Sequence, residues 1–245
     1  RLAVELLTTD SEMRAMQIAH YLKDQNRQRQ KCQQDMFKVV KQRIIHAGLN
    51  HPDRKTIVLS DDNWHPGVIG IVASKVIDAF YRPTILVSTA NGLGQGSGRS
   101  IAGFNLHAAL TACAEHLVVF GGHEMAAGLK VHTKKIPEFA EAFEAYAHQN
   151  LGHDNLQSFL EIDAQARISD FNERLMRELS WLEPFGEGNP KPVFAACGVK
   201  LIAPPRRVGS RNDHLQISIS DAGGAVRCIG FGMGLLEKKL LEAQT

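Results

Sequence analysis

Between Glu12 and about Gly48 the apolar residues sit near the two ends of the segment. Met13, Met16 and Leu22 come early, and Met36, Val40 and Ile44 come late. The middle, KDQNRQRQKCQQ from Lys23 to Gln34, is polar on every side. This pattern predicts one long helix, opened by Thr9 and Glu12 as a capping box and closed by Gly48 and Pro52. About 38 residues would span roughly 57 Å. A helix that is polar all round usually bridges two bodies through solvent.

Strand-like and helix-like patterns then alternate. Thr56–Ser60 and Thr84–Thr89 are β-like, and Val68–Phe80 has helical spacing. A glycine-rich loop is expected after Thr89, then a helix from about Asn105 to His116. Leu129–His132 reads as a brief strand, and Pro137–His148 as a helix with proline at its start. Alternating strands and helices indicate an α/β domain.

Beyond about Gly152 the pattern changes. Phe159–Ala166 alternates apolar and polar, and Asp170–Glu183 reads as a helix. PFGEGNPKP, Pro184 to Pro192, is too rich in proline and glycine for regular structure. Short β-like runs follow at Val193–Cys197, Lys200–Ala203, Leu215–Ser220 and Ala225–Phe231. Such spacing suggests a small barrel. The predicted organisation is a long linker helix over 1–50, an α/β domain over 51–151 and a barrel-like domain over 152–245.

Composition narrows the functions. With 245 residues, 44% of them hydrophobic, the chain can build one large or two small cores. Its net charge is only +2, so polyanion binding must come from local patches. One such patch is the long helix, with seven basic residues between Lys23 and Arg43 against Asp24 and Asp35. A solvated face and a nucleic-acid contact both fit it. The four cysteines form no C-x-x-C pair, which argues against a zinc ribbon or disulfide framework and suits a reducing, cytoplasmic setting. No apolar run is long enough to span a membrane. The chain begins at Arg1, so the true N-terminus is expected to lie upstream.

Four stretches could carry chemistry. In GSGRS, Gly96 to Ser100, bare backbone surrounds two hydroxyls and one arginine. The stretch fits neither a Walker loop nor a dinucleotide fingerprint. Glycine clears the approach, Ser97 and Ser100 offer hydroxyls, and the Arg99 fork suits a phosphate; a plain glycine-rich turn fits equally. In FGGHEMAAGL, Phe120 to Leu129, alanine at 127 rules out a zincin pair with His123. Gly121 and Gly122 suggest a strand-to-helix corner aiming amides at an anion beside His123, or a tightly packed helix. Trp64 and His65, before Pro66, could stack on a base or fill a core, and Lys75 could meet a phosphate or water. Arg206 and Arg207 belong to a basic run, Lys200 to Arg211, which suits an oligonucleotide groove or a basic turn. No cluster of aspartates and histidines offers a two-metal site.

In this order WHPGVIGIVASK, YRPTILVS, GSGRSIAGFNLHAAL, FGGHEMAAG and PFGEGNPKPVF, with a weaker echo at HLQISI, resemble the C-terminal half of the RecJ family of DHH phosphoesterases. The resemblance implies an α/β architecture of linker helix, DHH-associated domain and oligonucleotide-binding (OB-like) barrel. It implies 5′→3′ hydrolysis of single-stranded DNA in repair and recombination. Manganese or magnesium would be held by an N-terminal DHH domain that this stretch lacks, so no metal ligand is assigned here and activity of this stretch alone is not expected. Ser97, Arg99 and Ser100 would hold a backbone phosphate, with Gly121 and Gly122 beside it. His123 would face the scissile region, with Trp64, His65 and Lys75 nearby. Single-stranded DNA is the implied partner, with single-strand-binding protein or a helicase as candidates. Relatives usually continue with further β-strands, so the barrel is expected to be incomplete. Two alternatives remain: a DHH phosphodiesterase for short oligonucleotides or cyclic dinucleotides, which generally lacks a terminal barrel, and a non-catalytic single-strand-binding module.

Overall fold

The computed structural model describes residues 1–90, 92–152 and 156–242. The chain divides into two compact units, Arg1–Ser158 and Phe159 onward.

The first unit opens with helix α1, Leu2–Thr8, packed on the long helix α2, Glu12–His46. The expected cap shifts by two residues. Ser11 is extended and its hydroxyl accepts from the Arg14 N–H at 3.3 Å, while Thr9 lies in the link between the helices. The polar middle of α2 is exposed as expected, and Met36, Val40 and Ile44 are buried. Early in α2, Met13 and Met16 are exposed, and Ile18 is the buried residue.

A five-stranded sheet follows. Its strands are β1 (Ile57–Asp61), β2 (Thr84–Ala90), β3 (Leu93–Arg99), β4 (Val119–Gly122) and β5 (Ala126–His132), in the order β1-β2-β3-β5-β4. β1 and β2 are parallel, joined by helix α3 (Ile69–Phe80); the other pairs are antiparallel. Helices α4 (Leu106–Ala112) and α5 (Ile136–Asn150) complete the unit. Side chains alternate across β2. Leu86 joins Ile57, Trp64, Val72 and Val76 beneath α2 and α3, whereas Ile85 and Val87 join Phe104, Leu110, Phe139 and Phe143 with α4 and α5.

The expected glycine loop is strand β3, in the middle of the sheet. Its glycines are needed for packing rather than looseness. A Cβ at Gly94 would lie 2.5 Å from Val87 Cγ1, and one at Gly96 2.6 Å from Leu129 Cδ1. At Gly98 it would lie 3.0 Å from Leu106 Cδ2. Neighbouring side chains fill the space above these residues. The alternating glycines are therefore the core-facing half of a period-two strand.

FGGHEMAAGL is likewise neither a strand-to-helix corner nor a helix. It is a hairpin between β4 and β5, closed by the His123 N–H donating to the Ala126 carbonyl at 2.8 Å. Gly122 has φ +147°, and a Cβ there would meet the Ala126 carbonyl oxygen at 2.4 Å, so the hairpin closes only on glycine.

Two polar contacts tie helices to the sheet. Arg43 of α2 pairs with Asp61 at 2.9 Å, donates to the Ser60 carbonyl and lies over the Trp64 ring. Buried Glu144 of α5 accepts from the N–H groups of Lys55 and Thr56 and from the Thr56 hydroxyl.

The second unit has a short parallel pair, β6 (Ala164–Gln165) and β7 (Phe194–Ala195), and helix α6 (Glu173–Ser180), capped by Asn172. Asp170 lies before the helix, in a 3₁₀ turn. An antiparallel sheet in the order β10-β9-β8 follows, from β8 (Lys200–Val208), β9 (His214–Asp221) and β10 (Gly224–Gly230), and helix α7 (Leu236–Glu242) comes last. Among the described residues these strands form no closed barrel, as expected of an incomplete OB domain. No described helix is long and apolar enough to cross a membrane.

Two outcomes follow. Overpacking costs about 1–3 kcal/mol, so Gly96→Ala should lose that much stability in urea unfolding. The Asp61 carboxyl is held below its usual range, chiefly by the Asn63 N–H and further by Arg43. Its contribution is full above the unfolded value of about 3.9 and fades as pH falls through the lower folded value. Asp61→Asn should therefore destabilise at pH 7 and much less at pH 2 in thermal melts.

Candidate phosphate-binding site

Because the glycines of β3 face the α4–α5 core, Gln95, Ser97 and Arg99 face the opposite side. Arg99 is half-buried and turns back along its strand, donating to the Ser97 hydroxyl at 3.1 Å and to the Gly98 carbonyl at 2.8 Å. No carboxylate pairs with it among the described residues. Its guanidinium reaches the first turn of α3. A Cβ on Gly70 would lie 2.9 Å from the Ser97 hydroxyl oxygen and 3.0 Å from Arg99 Nη2. That helix end carries no side-chain cap and no acidic residue in its first turn. A helix N-terminus bears partial positive charge and open amides. A half-buried cation and a hydroxyl set against such an end, without an anion, match the needs of a phosphate.

The register extends this site across the sheet. Ser97 pairs with Gly128 of β5, which pairs with Gly121 of β4. Both glycines are exposed, and neither has positive φ. A Cβ at Gly121 would meet nothing within 4 Å, and one at Gly128 only the Gly96 carbonyl oxygen at 4.0 Å. Neither packing nor backbone geometry asks for glycine here, although glycine weakens a strand. Close approach by another molecule supplies a reason. Arg99 pairs with Ala126, and the Ser100 N–H donates to the Met125 carbonyl. The hairpin tip with His123 thus lies at the Arg99 end of the sheet, and His123 is exposed.

Other expected site residues are engaged within the fold. Ser100 is buried, and its hydroxyl donates to the Phe104 carbonyl at 2.6 Å, so it braces the β3–α4 link. Trp64 is 6% exposed, a core residue under Arg43. His65 accepts from the Gly67 N–H, organising the approach to α3. Lys75 places its ammonium over the Phe37 ring of α2. Gly122 closes the hairpin. Arg206 and Arg207 lie on a strand of the second unit, and Arg207 pairs with Glu237 at 2.9 Å. The sequence reading missed Gly70 and Gly128. A glycine inside the apolar helix pattern VIGIVAS was the available signal for the first. Among the described residues no group of three or more His, Cys, Asp or Glu side chains is placed to hold a metal ion.

Residues 53–149 match the DHHA1 domain, and residues 162–245 match the RecJ OB domain. The chain belongs to the RecJ family. The single-stranded-DNA-specific exonuclease RecJ of Bacillus subtilis is 32% identical over 241 residues, 98% of this chain and 30% of that protein. That of Thermus thermophilus is 34% identical over 207 residues, 84% of this chain and 29% of that protein. The crystal structure of Thermus thermophilus RecJ in complex with Mn2+ superposes with a TM-score of 0.77 at 31% identity, covering 94% of this chain and 32% of that one. Its complex with Mg2+ gives a TM-score of 0.76. The chain thus spans about 30% of the length of these RecJ relatives.

The open glycine row makes a specific prediction for this RecJ-family chain. Gly128→Val should leave the urea midpoint unchanged or raised, since valine suits a strand and meets open space. It should weaken phosphate-containing ligands at Arg99, measured by titration calorimetry with a 5′-phosphorylated oligonucleotide.

Proposed function

We propose that this chain is the substrate-binding part of a 5′→3′ exonuclease for single-stranded DNA, acting in cytoplasmic DNA repair and recombination. The carrying observation is Arg99: a half-buried guanidinium with no carboxylate partner, set against the uncapped start of α3. The names of the RecJ relatives supply the substrate class. In this reading residues 51–151 grip the backbone and residues 152–245 guide the strand. Arg99 and Ser97 donate to the oxygens of one phosphate, and the α3 amides add positive potential. The Gly128–Gly121 row lets the sugar–phosphate chain lie against bare main chain. His123, at the hairpin tip, faces the scissile region. Manganese or magnesium in the intact enzyme is bound outside the described residues. What these residues contribute is position and charge neutralisation.

A hydrogen bond to a charged group is worth about 1.5–3 kcal/mol. Arg99→Ala in the intact enzyme should then lower kcat/KM by about 10- to 150-fold. Arg99→Lys should fall between, because lysine keeps the charge but loses the fork. Steady-state kinetics on 5′-phosphorylated single strands reads this directly, and unchanged values for Arg99→Ala would remove the residue from the site.

A further inference from the structure

Two residues before Ser97 on β3, and on the same face, Gln95 borders a cleft of about 560 Å³. That volume is in the range of small-molecule sites. The loop after β1 supplies Asp62, Trp64 and Pro66, β3 supplies Leu93 and Gln95, and β5 supplies Lys130. The loop is fixed to the sheet. The buried Ser88 hydroxyl donates to the Trp64 carbonyl, and Arg43 lies over the Trp64 ring. Ser88, Gln95 and Lys130 are register partners on β2, β3 and β5. From the anchor of the loop to the lysine is therefore two strand spacings, roughly 10 Å.

The polar groups here are not consumed by the fold. Asp62, Gln95 and Lys130 are exposed. Asp62 accepts from the Asn63 amide at 2.8 Å but forms no ion pair among the described residues. Lys130 pairs with no carboxylate there, and the Gln95 amide has no partner. Leu93 is 37% exposed beside them. A ligand that suits this cleft is flat, apolar on its faces, rich in donors towards Asp62 and in acceptors towards Lys130.

A phosphate alone fails this test, because Asp62 repels it. A nucleobase meets it in shape, since bases are read by hydrogen bonds along an edge and by apolar contact on their faces. The four bases meet the charges differently. Guanine offers a carboxylate two parallel donors, its ring N–H and its amino group, and offers an ammonium its carbonyl oxygen and free ring nitrogen. In adenine and thymine every donor is flanked by a lone pair that a carboxylate repels. Cytosine gives the carboxylate a single amino group.

We infer that this cleft binds the guanine base of a nucleotide. Asp62 accepts from the ring N–H and amino group, Lys130 and Gln95 donate to the opposite edge, and Pro66, Leu93 and Trp64 supply apolar contact. The cleft begins about 7 Å along β3 from Ser97, within the length of one nucleotide. For a base within a single strand the inference rests on the function proposed above; for a free guanine nucleotide it stands without it.

Trp64 fluorescence tests this, in the full chain carrying Trp181→Phe so that Trp64 is the sole indole. One set of titrations uses dGMP, dAMP, dCMP and dTMP. A second uses 5′-phosphorylated tetrathymidine with one position replaced by dG or by dA. A guanine ligand in the first set, the second or both should bind about 5- to 150-fold more tightly than its adenine counterpart, and the set that shows it identifies the source. In that set hypoxanthine, which lacks only the amino group, should fall between guanine and adenine. Asp62→Asn should bring the guanine-to-adenine ratio close to one, and Lys130→Ala should lower it. Circular dichroism melts confirm that each variant is folded. A ratio close to one for the parent chain in both sets overturns the proposal, as does an unchanged ratio in Asp62→Asn. Arg99→Ala should weaken all phosphorylated strands alike and keep the ratio. A kept ratio without that weakening sinks the Arg99 reading and leaves the cleft standing; that weakening in a chain that never shows a ratio does the reverse.

Discussion

Everything in the first unit turns on how closely β3 approaches the core. Val87, Leu129 and Leu106 occupy the space that side chains at 94, 96 and 98 would need. Close packing leaves no slack there. The residues between them point the other way, since β3 is in regular register with both neighbours and an unbulged strand alternates faces. The same contact that completes the α4–α5 core therefore aims Ser97 and Arg99 at the start of α3. Stability and site geometry come from one constraint.

Most of the buried charges in that unit are held by partners. Arg43 has Asp61, a carbonyl and an indole ring, and Arg82 donates to the carbonyls of Arg54 and Phe80. Glu144 is surrounded by donors. Burial without a partner is costly, so such pairing is what folding alone requires. Arg99 departs from it, with one hydroxyl and one carbonyl and no negative charge. Free cysteine chemistry adds nothing nearby: Cys113 is buried, and desolvation pushes its thiol up to about 11. Arg82 likewise bonds carbonyls and no carboxylate, so it is the helix end of the same sign beside Arg99 that motivates the phosphate reading proposed above.

The two units place their cations differently. In the first, one guanidinium is fixed by packing and by the backbone at its side, which suits holding a single phosphate in one geometry. In the second, Lys200, Arg206 and Arg227 share one face of an open antiparallel sheet.

Local pattern alone determined a good deal. The apolar faces of α3, the late part of α2 and α5 were legible because a 3.6-residue repeat is a property of the helix itself, and the exposed middle of α2 because nothing apolar was there to bury. Arg99 and Ser97 could be singled out from residue type as candidate phosphate ligands, the role proposed for them above. Strand β3 was not, because glycines have no side chains to show a periodicity, and an alternation of bare positions reads as looseness until Val87 and Leu129 are seen above them. Trp64, Ser100 and Lys75 looked available because a sequence lists functional groups without their contacts: Arg43 and Phe37, distant in the chain, engage Trp64 and Lys75, and the turn into α4 brings the Phe104 carbonyl onto Ser100. The difference between Arg206 and Arg207 depended on register. Which of two adjacent residues faces the core is set by pairing with β9, and only the folded sheet decides it.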